Sequence, residues 1–356
     1  MAIKVRPLDQ DSQLIWDRFV HAMPAGTFFH RAGWAQVVQT AFRHTPHYVF
    51  AERDGVMTGV LPLVRVKTRL FGDTLISNPF CVYGGPLAAD AESHAALVAH
   101  AEALMRQTGV SAMEFRHRDP VDEFRHRDPV DSGAGDGWID RPDLYVTFRK
   151  AISGDHDANM KAIPRKQRAM VRKGIQLGLT SEAGQDVRAL HRVYAESVRN
   201  LGTPVFARRY FSVLMEVFGK DADVVTIRQD GTPVASVLNF YFRDEVLPYY
   251  GGGTAAARAC AGNDFMYWDV MRRAADRGCR LFDFGRSKLG TGAYAFKHNW
   301  GFEASKLHYR FRLKPGETMP DHNPLNPKYA LFIAAWKRLP LPVANAIGPF
   351  IVRGLG

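Results

Sequence analysis

A dense group of cationic and aromatic side chains follows a short apolar strand, which is expected to end at Gly285. The carboxyl end of a strand is where open α/β sheets bind their ligands. Cations between flexible glycines can hold a phosphate, and aromatic rings can stack on a base or a sugar. This segment is therefore the first candidate site. Its candidate substrate-binding residues are Arg286, Lys288, Tyr294 and Phe296, and its candidate catalytic residue is Lys297.

Lys297 is expected on a short aromatic helix, between Phe296 and a Trp-Gly-Phe segment. Apolar neighbours on both sides predict partial burial of its amine, and lysines in such surroundings are often functional. A solvated lysine on an ordinary helix surface is the alternative. The aromatic residues nearby are expected to belong to the core: Phe282, Phe284, Trp300 and Phe302.

A second cationic segment spans residues 161–173, a helical stretch that is interrupted near Pro164. Cations spread around a helix are typical of a surface that binds a polyanion. An ordinary exposed helix explains the same pattern, so both interpretations stay open. The candidate polyanion-binding residues are Arg165, Lys166, Arg168, Arg172 and Lys173.

The chain as a whole is basic. In 356 residues, 47 Lys and Arg against 36 Asp and Glu give a formal charge of +11. This balance favours a polyanionic partner, such as nucleic acid, nucleotide phosphate or an anionic membrane, with a solvated basic surface as the alternative. No apolar run is long enough to span a membrane, and the first residues lack a secretory signal, so a cytoplasmic protein is expected.

The cysteines argue against a metal centre or a disulfide framework. Cys81, Cys260 and Cys279 lie far apart and lack metal-ligand spacing, so we expect buried thiols in a reducing compartment. The motifs of serine hydrolases, P-loop proteins and zinc proteases are also missing from the sequence. No metal site is predicted.

The same order of signals occurs twice along the chain, which predicts two copies of one structural unit. In each copy an Asp-Gly turn, at residues 54–55 and 230–231, joins two strands. A Tyr-Gly-Gly segment follows, at Tyr83 and at Tyr250, and then a helix and a further strand. Each half should therefore form a mixed sheet flanked by helices, in the α/β (α+β) class.

The repeat predicts an N-terminal domain over residues 1–145 and a C-terminal domain over residues 146–322, which carries the candidate catalytic segment. One segment recurs residue for residue within 114–131, and we interpret it as a duplicated loop of the first domain. Residues 323–356 are expected to form an apolar and basic helical tail. The tail either packs on its own domain or lies on a bilayer surface.

Several of these motifs resemble the FemAB family of transferases. They are the run that begins with Asp283-Phe284-Gly285, the pair Phe296-Lys297 followed by Gly-Phe, the strand end at Tyr250 with Asn263 opening a helix, and an early Thr-Phe-Phe segment with Trp34. The chain more closely resembles the FemAB-like proteins associated with exosortase (PEP-CTERM) and exopolysaccharide gene clusters. The resemblance covers nearly the whole chain and implies two tandem GNAT (acyl-CoA N-acyltransferase-like) domains.

The resemblance implies an acyltransferase or aminoacyltransferase. Family members move an amino acid from aminoacyl-tRNA to an amine of a peptidoglycan precursor, with a Phe-Lys pair that matches Phe296 and Lys297. The ammonium of Lys297 would stabilise the negative charge on the carbonyl oxygen, and Phe296 would stack on the terminal base of the tRNA. Trp34 lacks the basic residue that usually follows it, so the acceptor stays open between envelope and exopolysaccharide precursors. The further candidate substrate-binding residues are Trp34, Tyr83, Tyr250 and Asn263.

Two alternatives stay open. The first is an acetyl-CoA-dependent N-acetyltransferase of exopolysaccharide synthesis, although residues 254–263 hold only one glycine at the helix entry, where CoA pyrophosphate would bind. The second is a non-catalytic scaffold that binds an anionic glycan or lipid. No tightly bound cofactor is predicted, and aminoacyl-tRNA or acyl-CoA would be a co-substrate. The tail adds a peripheral location at the inner face of the cytoplasmic membrane as a hypothesis.

Overall fold

The computed structural model describes residues 2–68, 71–120, 137–319 and 327–355. The strands are β1 (Lys4–Pro7), β2 (Thr45–Arg53), β3 (Val56–Thr68), β4 (Gly72–Ser77), β5 (Leu87–Ala88), β6 (Ala112–His117), β7 (Trp138–Arg141), β8 (Val146–Ala151), β9 (Thr180–Gly184), β10 (Ala222–Gln229), β11 (Thr232–Phe242), β12 (Glu245–Gly253), β13 (Leu281–Ser287), β14 (Ala304–Lys306) and β15 (His308–Leu313). The helices are α1 (Gln13–Ala22), α2 (Gly33–Phe42), α3 (Ala91–Thr108), α4 (His156–Ala162), α5 (Arg165–Gln176), α6 (Val187–Leu201), α7 (Arg208–Phe218), α8 (Ala255–Cys260), α9 (Gly262–Asp276), α10 (Gly292–Asn299), α11 (Pro327–Arg338) and α12 (Leu341–Val352).

The chain divides into two compact units. The first unit consists of Met1–Tyr145, Lys306–His322 and Gly354–Gly356, and the second of Val146–Ser305 and Asn323–Arg353. In the described residues, the first unit's sheet has the order β1-β2-β3-β4-β6-β15-β7, with β5 paired to β3. The second unit's sheet has the order β14-β8-β13-β12-β11-β10-β9. Both sheets are mixed, as the sequence predicted.

The predicted repeat is confirmed in the strand pairing. In both units three antiparallel strands, β2-β3-β4 and β10-β11-β12, lead through a helix to a parallel neighbour, β6 or β13. Both Asp-Gly turns adopt positive φ at their two central residues, 53° and 78° in residues 54–55 and 49° and 76° in residues 230–231. This conformation is that of a type I′ turn, whose twist suits a two-residue hairpin.

One strand of the first unit's sheet, β15, comes from an unexpected part of the chain, after the sequence of the second unit. Strand β15 pairs antiparallel with β6 of the first unit, and β8 pairs antiparallel with β13 of the second. The division of the chain therefore differs from the predicted domains, because residues 306–322 belong to the first unit and residues 323–353 to the second. The second copy within the duplicated loop 114–131 lies outside the described residues.

Each unit has its own apolar core. In the second unit it forms between the sheet and helices α5 and α9, and it includes all four aromatic residues predicted there. Phe282, Phe284, Trp300 and Phe302 are buried, which confirms that prediction. The three cysteines are free and buried, as expected. Among the described residues, no helix combines the length and the apolar character that crossing a membrane requires.

Candidate active site

Strands β12 and β13 of the second unit diverge along their length. They run parallel, but only Glu245 and Val246 of β12 have register partners in β13, namely Leu281 and Phe282. Beyond these pairs β12 continues to Gly253 and β13 continues to Ser287 without pairing to each other. Diverging parallel strands leave backbone groups free for a ligand at their carboxyl ends, which is where such sheets bind substrates.

Lys297 is fixed to the end of β13. Its Nζ donates hydrogen bonds to the carbonyl oxygens of Gly285 and Arg286, each at 3.0 Å. Gly285 has a φ of +66°, a conformation in which glycine carries no steric penalty. Helix α10 presents the lysine, and the Thr291 side chain caps its first turn by accepting a bond from the Tyr294 N–H at 3.3 Å.

The surroundings of Lys297 lower the pKa of its amine to about 7, and burial is the largest cause. Asp283 opposes this by stabilising the ammonium, and the positive charge of Arg286 adds to the lowering. The ring of Phe148 lies 5.8 Å from Nζ on the apolar side. Near neutral pH, both the amine and the ammonium form of Lys297 are therefore populated.

Asp283 is a buried carboxylate beside this lysine, and the sequence analysis assigned it no role. It accepts hydrogen bonds from the Gly285 N–H at 2.7 Å and from the Thr147 hydroxyl at 3.5 Å. Arg149 lies 3.4 Å from it and also pairs with Glu245. The only sequence signal was an acidic residue between two core phenylalanines, and its partners on β8 are far away in sequence.

Phe296 and Tyr294 share helix α10 with Lys297, and the backbone carbonyl of Arg286 accepts a hydrogen bond from the lysine. Phe296 is partly buried and packs against Tyr267, Phe284 and Trp300, with ring centroids 5.5, 6.3 and 6.2 Å away. Tyr294 packs edge-on against Phe148 at 5.3 Å. Arg286 and Lys288 are partly exposed, on β13 and just after it. The contacts of Lys297 with the end of β13 are observed, and the substrate-binding roles of the other four residues stay predictions.

Tyr250 lies in a different cluster of the second unit. Its hydroxyl is 2.7 Å from that of Tyr210, and its ring contacts aromatic residues of α6 and α7. Leu238 of β11 pairs with Tyr250 of β12, whereas the next residue, Asn239, pairs with Pro248. Strand β12 therefore has one extra residue between these two pairs, and such a bulge bends the strand locally. This irregularity was not readable from the sequence.

Asn263 lies in the first turn of α9, beside the end of β12. A Cβ on Gly253 would come within 2.6 Å of the Asn263 Oδ1, which shows how close the two elements are. Among the described residues this buried oxygen has no hydrogen-bond partner. Asn263 therefore offers a free acceptor where β12 ends.

Trp34 and Tyr83 belong to the first unit and are fully buried there. The indole N–H of Trp34 donates to the Phe28 carbonyl oxygen at 3.2 Å. The ring of Tyr83 packs edge-on against Phe29 at 5.8 Å. Both side chains are core residues in this structure, and their predicted contact with substrate remains a prediction.

Helix α5 carries the predicted polyanion-binding residues on its outer surface. It is anchored through Val171 and Gly174, and a Cβ on Gly174 would lie 2.8 Å from that of Phe265 on α9. The helix contains no acidic residue, and none of its five cations has an ion-pair partner in the described part of the chain. A recess of about 460 Å³ runs along this surface, lined by Arg165, Arg168, Ala169, Arg172 and Gln176.

Within the described ranges, no group of three or more His, Cys, Asp or Glu side chains is placed to hold a metal ion. The candidate site therefore consists of Lys297 with its two carbonyl partners, the buried Asp283 and the diverging strands. This arrangement can exchange a proton and stabilise a negative oxygen at neutral pH.

Comparisons with known proteins agree with the architecture. Residues 159–298 match a family model described as an acetyltransferase (GNAT) domain. No curated protein matches the chain by sequence. The crystal structure of FemX is similar with a TM-score of 0.66 at 15% identity, and the match covers 93% of this chain and 100% of that one.

Two further solved structures have the same architecture. L-PGS from Bacillus licheniformis is similar with a TM-score of 0.57 at 13% identity, over 94% of this chain and 98% of that one. A tandem GNAT protein from the clavulanic acid biosynthesis pathway is similar with a TM-score of 0.56 at 14% identity, over 89% of this chain and 100% of that one. Likeness at such low identity concerns the fold. The chain has a tandem GNAT fold, as the sequence predicted.

Proposed function

We propose that the second unit transfers an acyl group to an amine, with an aminoacyl ester of tRNA as the preferred donor, and that Lys297 performs the central step. The observation that carries this proposal is the environment of Lys297, whose amine is held by two carbonyl oxygens and has a pKa of about 7. An amine with this pKa exchanges a proton readily at neutral pH, as general acid–base catalysis requires.

The proposed reaction begins when the acceptor amine attacks the carbonyl carbon of the ester and a C–N bond forms. The neutral amine of Lys297 takes the proton that the acceptor nitrogen loses. The resulting ammonium lies beside the negatively charged carbonyl oxygen and stabilises it. As the C–O bond to the ribose breaks, the same proton passes to the leaving oxygen, and Lys297 returns to its neutral form.

Helix α5 supports a nucleic-acid donor. Three of its cations, Arg165, Arg168 and Arg172, line a recess, a pattern that suits the phosphates of an RNA backbone. Helix α9 links this surface to the candidate site, because Phe265 of α9 packs against α5 and Tyr267 packs 5.5 Å from the ring of Phe296.

A CoA thioester is the alternative donor. The match of residues 159–298 to an acetyltransferase domain favours it. Helix α9 also begins at Gly262, close to the end of β12, and the N–H groups of a helix N-terminus can hold a pyrophosphate. For the acceptor, an amine of an envelope or exopolysaccharide precursor is proposed from the resemblance of the motifs.

Equilibrium binding separates the two donors. The wild-type protein is titrated with a stable amide-linked aminoacyl-tRNA and with acetyl-CoA, at two salt concentrations. We expect saturable tRNA binding that weakens with salt, because each phosphate contact contributes a slope of about 0.7 to 0.9 in log K against log salt. Binding of acetyl-CoA alone would move the proposal to the CoA donor.

Charge reversal tests the part played by α5. The Arg165→Glu/Arg172→Glu double variant should bind tRNA about 10 to 100 times more weakly and lose about two units of salt slope. Arg208→Glu/Arg209→Glu on α7 is the matched control, since both of its sites are exposed arginines of the same unit. Equal losses in the two variants would show a general charge effect and remove the argument for α5.

A further inference from the structure

Helices α11 and α12 pack on the second unit through one side only. Gly202 at the end of α6 lies so close to Ile333 of α11 that a Cβ added to this glycine would be 2.5 Å from the Ile333 Cγ2. Gly348 of α12 lies against Val205. Arg199 of α6 donates a hydrogen bond to the Lys337 carbonyl oxygen at 3.2 Å. These close contacts fix the two helices on the unit and leave their opposite side facing solvent.

The solvent-facing side of α12 is apolar. Val343, Ile347 and Phe350 are exposed to 43%, 42% and 73%, and their spacing places them on one face of the helix. The other exposed positions of α12 are Pro342 and Ala346, so no exposed position of this helix carries a polar side chain. A helix face in water is normally polar, and an apolar one marks a surface that something covers.

Helix α11 also exposes large apolar side chains. Leu331 is 82% exposed and Phe332 is 42% exposed, which are high values for large apolar side chains. Two cations, Lys337 and Arg338, are exposed where α11 ends. We call the large apolar and the cationic side chains that these two helices expose the tail surface: Leu331, Phe332, Lys337, Arg338, Val343, Ile347 and Phe350.

The charge around the tail surface selects its partner. Residues 323–356 contain four Lys and Arg but no Asp or Glu. An occupant that complements this segment must therefore be both apolar and negatively charged. A bilayer that contains anionic phospholipid has both properties, because its headgroups attract cations and its acyl chains accept apolar side chains.

The length of the helices decides how they would lie. Each has 12 residues, which at about 1.5 Å per residue is far shorter than the roughly 30 Å of a bilayer's hydrocarbon core. We propose that α11 and α12 bind the surface of an anionic bilayer in the plane of the membrane, with Ile347 and Phe350 inserted below the headgroups. Lys337 and Arg338 then pair with lipid phosphates. This inference does not depend on the transfer chemistry, and its test uses no turnover.

Sedimentation with vesicles tests the proposal. The full chain is mixed with vesicles of phosphatidylcholine alone or with vesicles in which about 30% of the lipid is anionic phosphatidylglycerol, whose surface attracts cations. We expect binding to the anionic vesicles only, and at least about tenfold weaker binding by the Ile347→Asp/Phe350→Asp variant. Lys337→Glu/Arg338→Glu should lose binding to a similar extent. Leu14→Asp on α1 is the control, because Leu14 is an exposed leucine, at 62%, of the first unit.

A second measurement keeps the test valid if the aspartate variant misfolds. The native cysteines are buried, so an environment-sensitive dye can be attached selectively to an Ile347→Cys variant and, as control, to Leu14→Cys. The dye at position 347 should shift to shorter emission wavelength with anionic vesicles, and the dye at position 14 should not.

Three results would overturn the proposal. The first is that the wild-type protein stays in solution with anionic vesicles at low salt. The second is that the emission of the dye at position 347 does not shift. The third is that the Ile347→Asp/Phe350→Asp variant binds the vesicles as tightly as the wild type. A dimer in solution that this variant converts to monomer, without any vesicle binding, would assign the tail surface to a second copy of the chain and equally overturn it.

Discussion

Two carbonyl oxygens define what Lys297 can do. They accept two of its N–H bonds, at 3.0 Å each, so the ammonium form has one N–H left for a substrate and the amine form has one free lone pair. Burial lowers the pKa to about 7, so a change of protonation state costs little near neutral pH. A solvated lysine, with an ordinary pKa near 10.4, could serve only as a fixed charge.

The lowered pKa predicts a pH dependence. In the proposed mechanism Lys297 starts as an amine, so the rate should fall as the pH drops below about 7, where the lysine is already protonated. Lys297→Arg keeps a positive charge but cannot exchange a proton near neutrality. We therefore expect its rate to be lower by about 100-fold or more and not to fall further as the pH drops through about 7.

Lys150→Arg is the control for this profile. Lys150 is another half-buried lysine of the second unit, its pKa is also lowered by burial, and its Nζ donates to the Ala162 carbonyl oxygen at 3.0 Å. This variant should keep the wild-type pH profile. If Lys297→Arg kept it too, Lys297 would serve as a charge and not as a proton carrier.

At the scale of elements, the most consequential pairing is that of β15 with β6. Tyr309 on β15 is buried, donates from its hydroxyl to the Val82 carbonyl oxygen at 2.6 Å, and lies 5.8 Å below the guanidinium of Arg116. A strand that follows the second unit's site in the sequence therefore completes the core of the first unit.

Removing the Tyr309 side chain should destabilise the first unit specifically. Tyr309→Ala leaves a cavity and an unpaired carbonyl oxygen, which we expect to lower the free energy of unfolding by about 3 to 5 kcal/mol. Hydrogen exchange followed by mass spectrometry should show faster exchange in β6 and unchanged exchange in β13. Lys306→Ala, at an exposed position nearby, is the control. Equal acceleration in both strands would contradict the assignment of β15 to the first unit.

Local sequence signals predicted the repeat but did not predict that β15 belongs to the first unit. The Asp-Gly turns at residues 54–55 and 230–231 are encoded by adjacent residues, so the hairpins were readable from the sequence. The pairing of β15 with β6 joins residues almost two hundred positions apart, and no local pattern indicates it. The domain boundaries differ from the prediction for this reason.

The sequence likewise predicted the local part of the candidate site and not its long-range contacts. Lys297 and its neighbours form one continuous segment, so the sequence brought them together. Asp283 gained its importance from Thr147 and Arg149 on β8, and Tyr250 was turned toward α6 and α7 by a register shift. Such contacts depend on the assembled sheet and could not be predicted from spacing alone.

The central claim is that Lys297 performs acyl transfer, and donor discharge tests it most directly. Labelled aminoacyl-tRNA and labelled acetyl-CoA are each incubated with amino sugars and peptide amines, and the release of label is followed for the wild type, Lys297→Met and the control Lys150→Met. We expect discharge of one donor by the wild type, a loss of about 100-fold or more in Lys297→Met with unchanged donor binding, and little change in Lys150→Met. Discharge by Lys297→Met at the wild-type rate, or no discharge of either donor by the wild-type protein, would contradict the role proposed for Lys297.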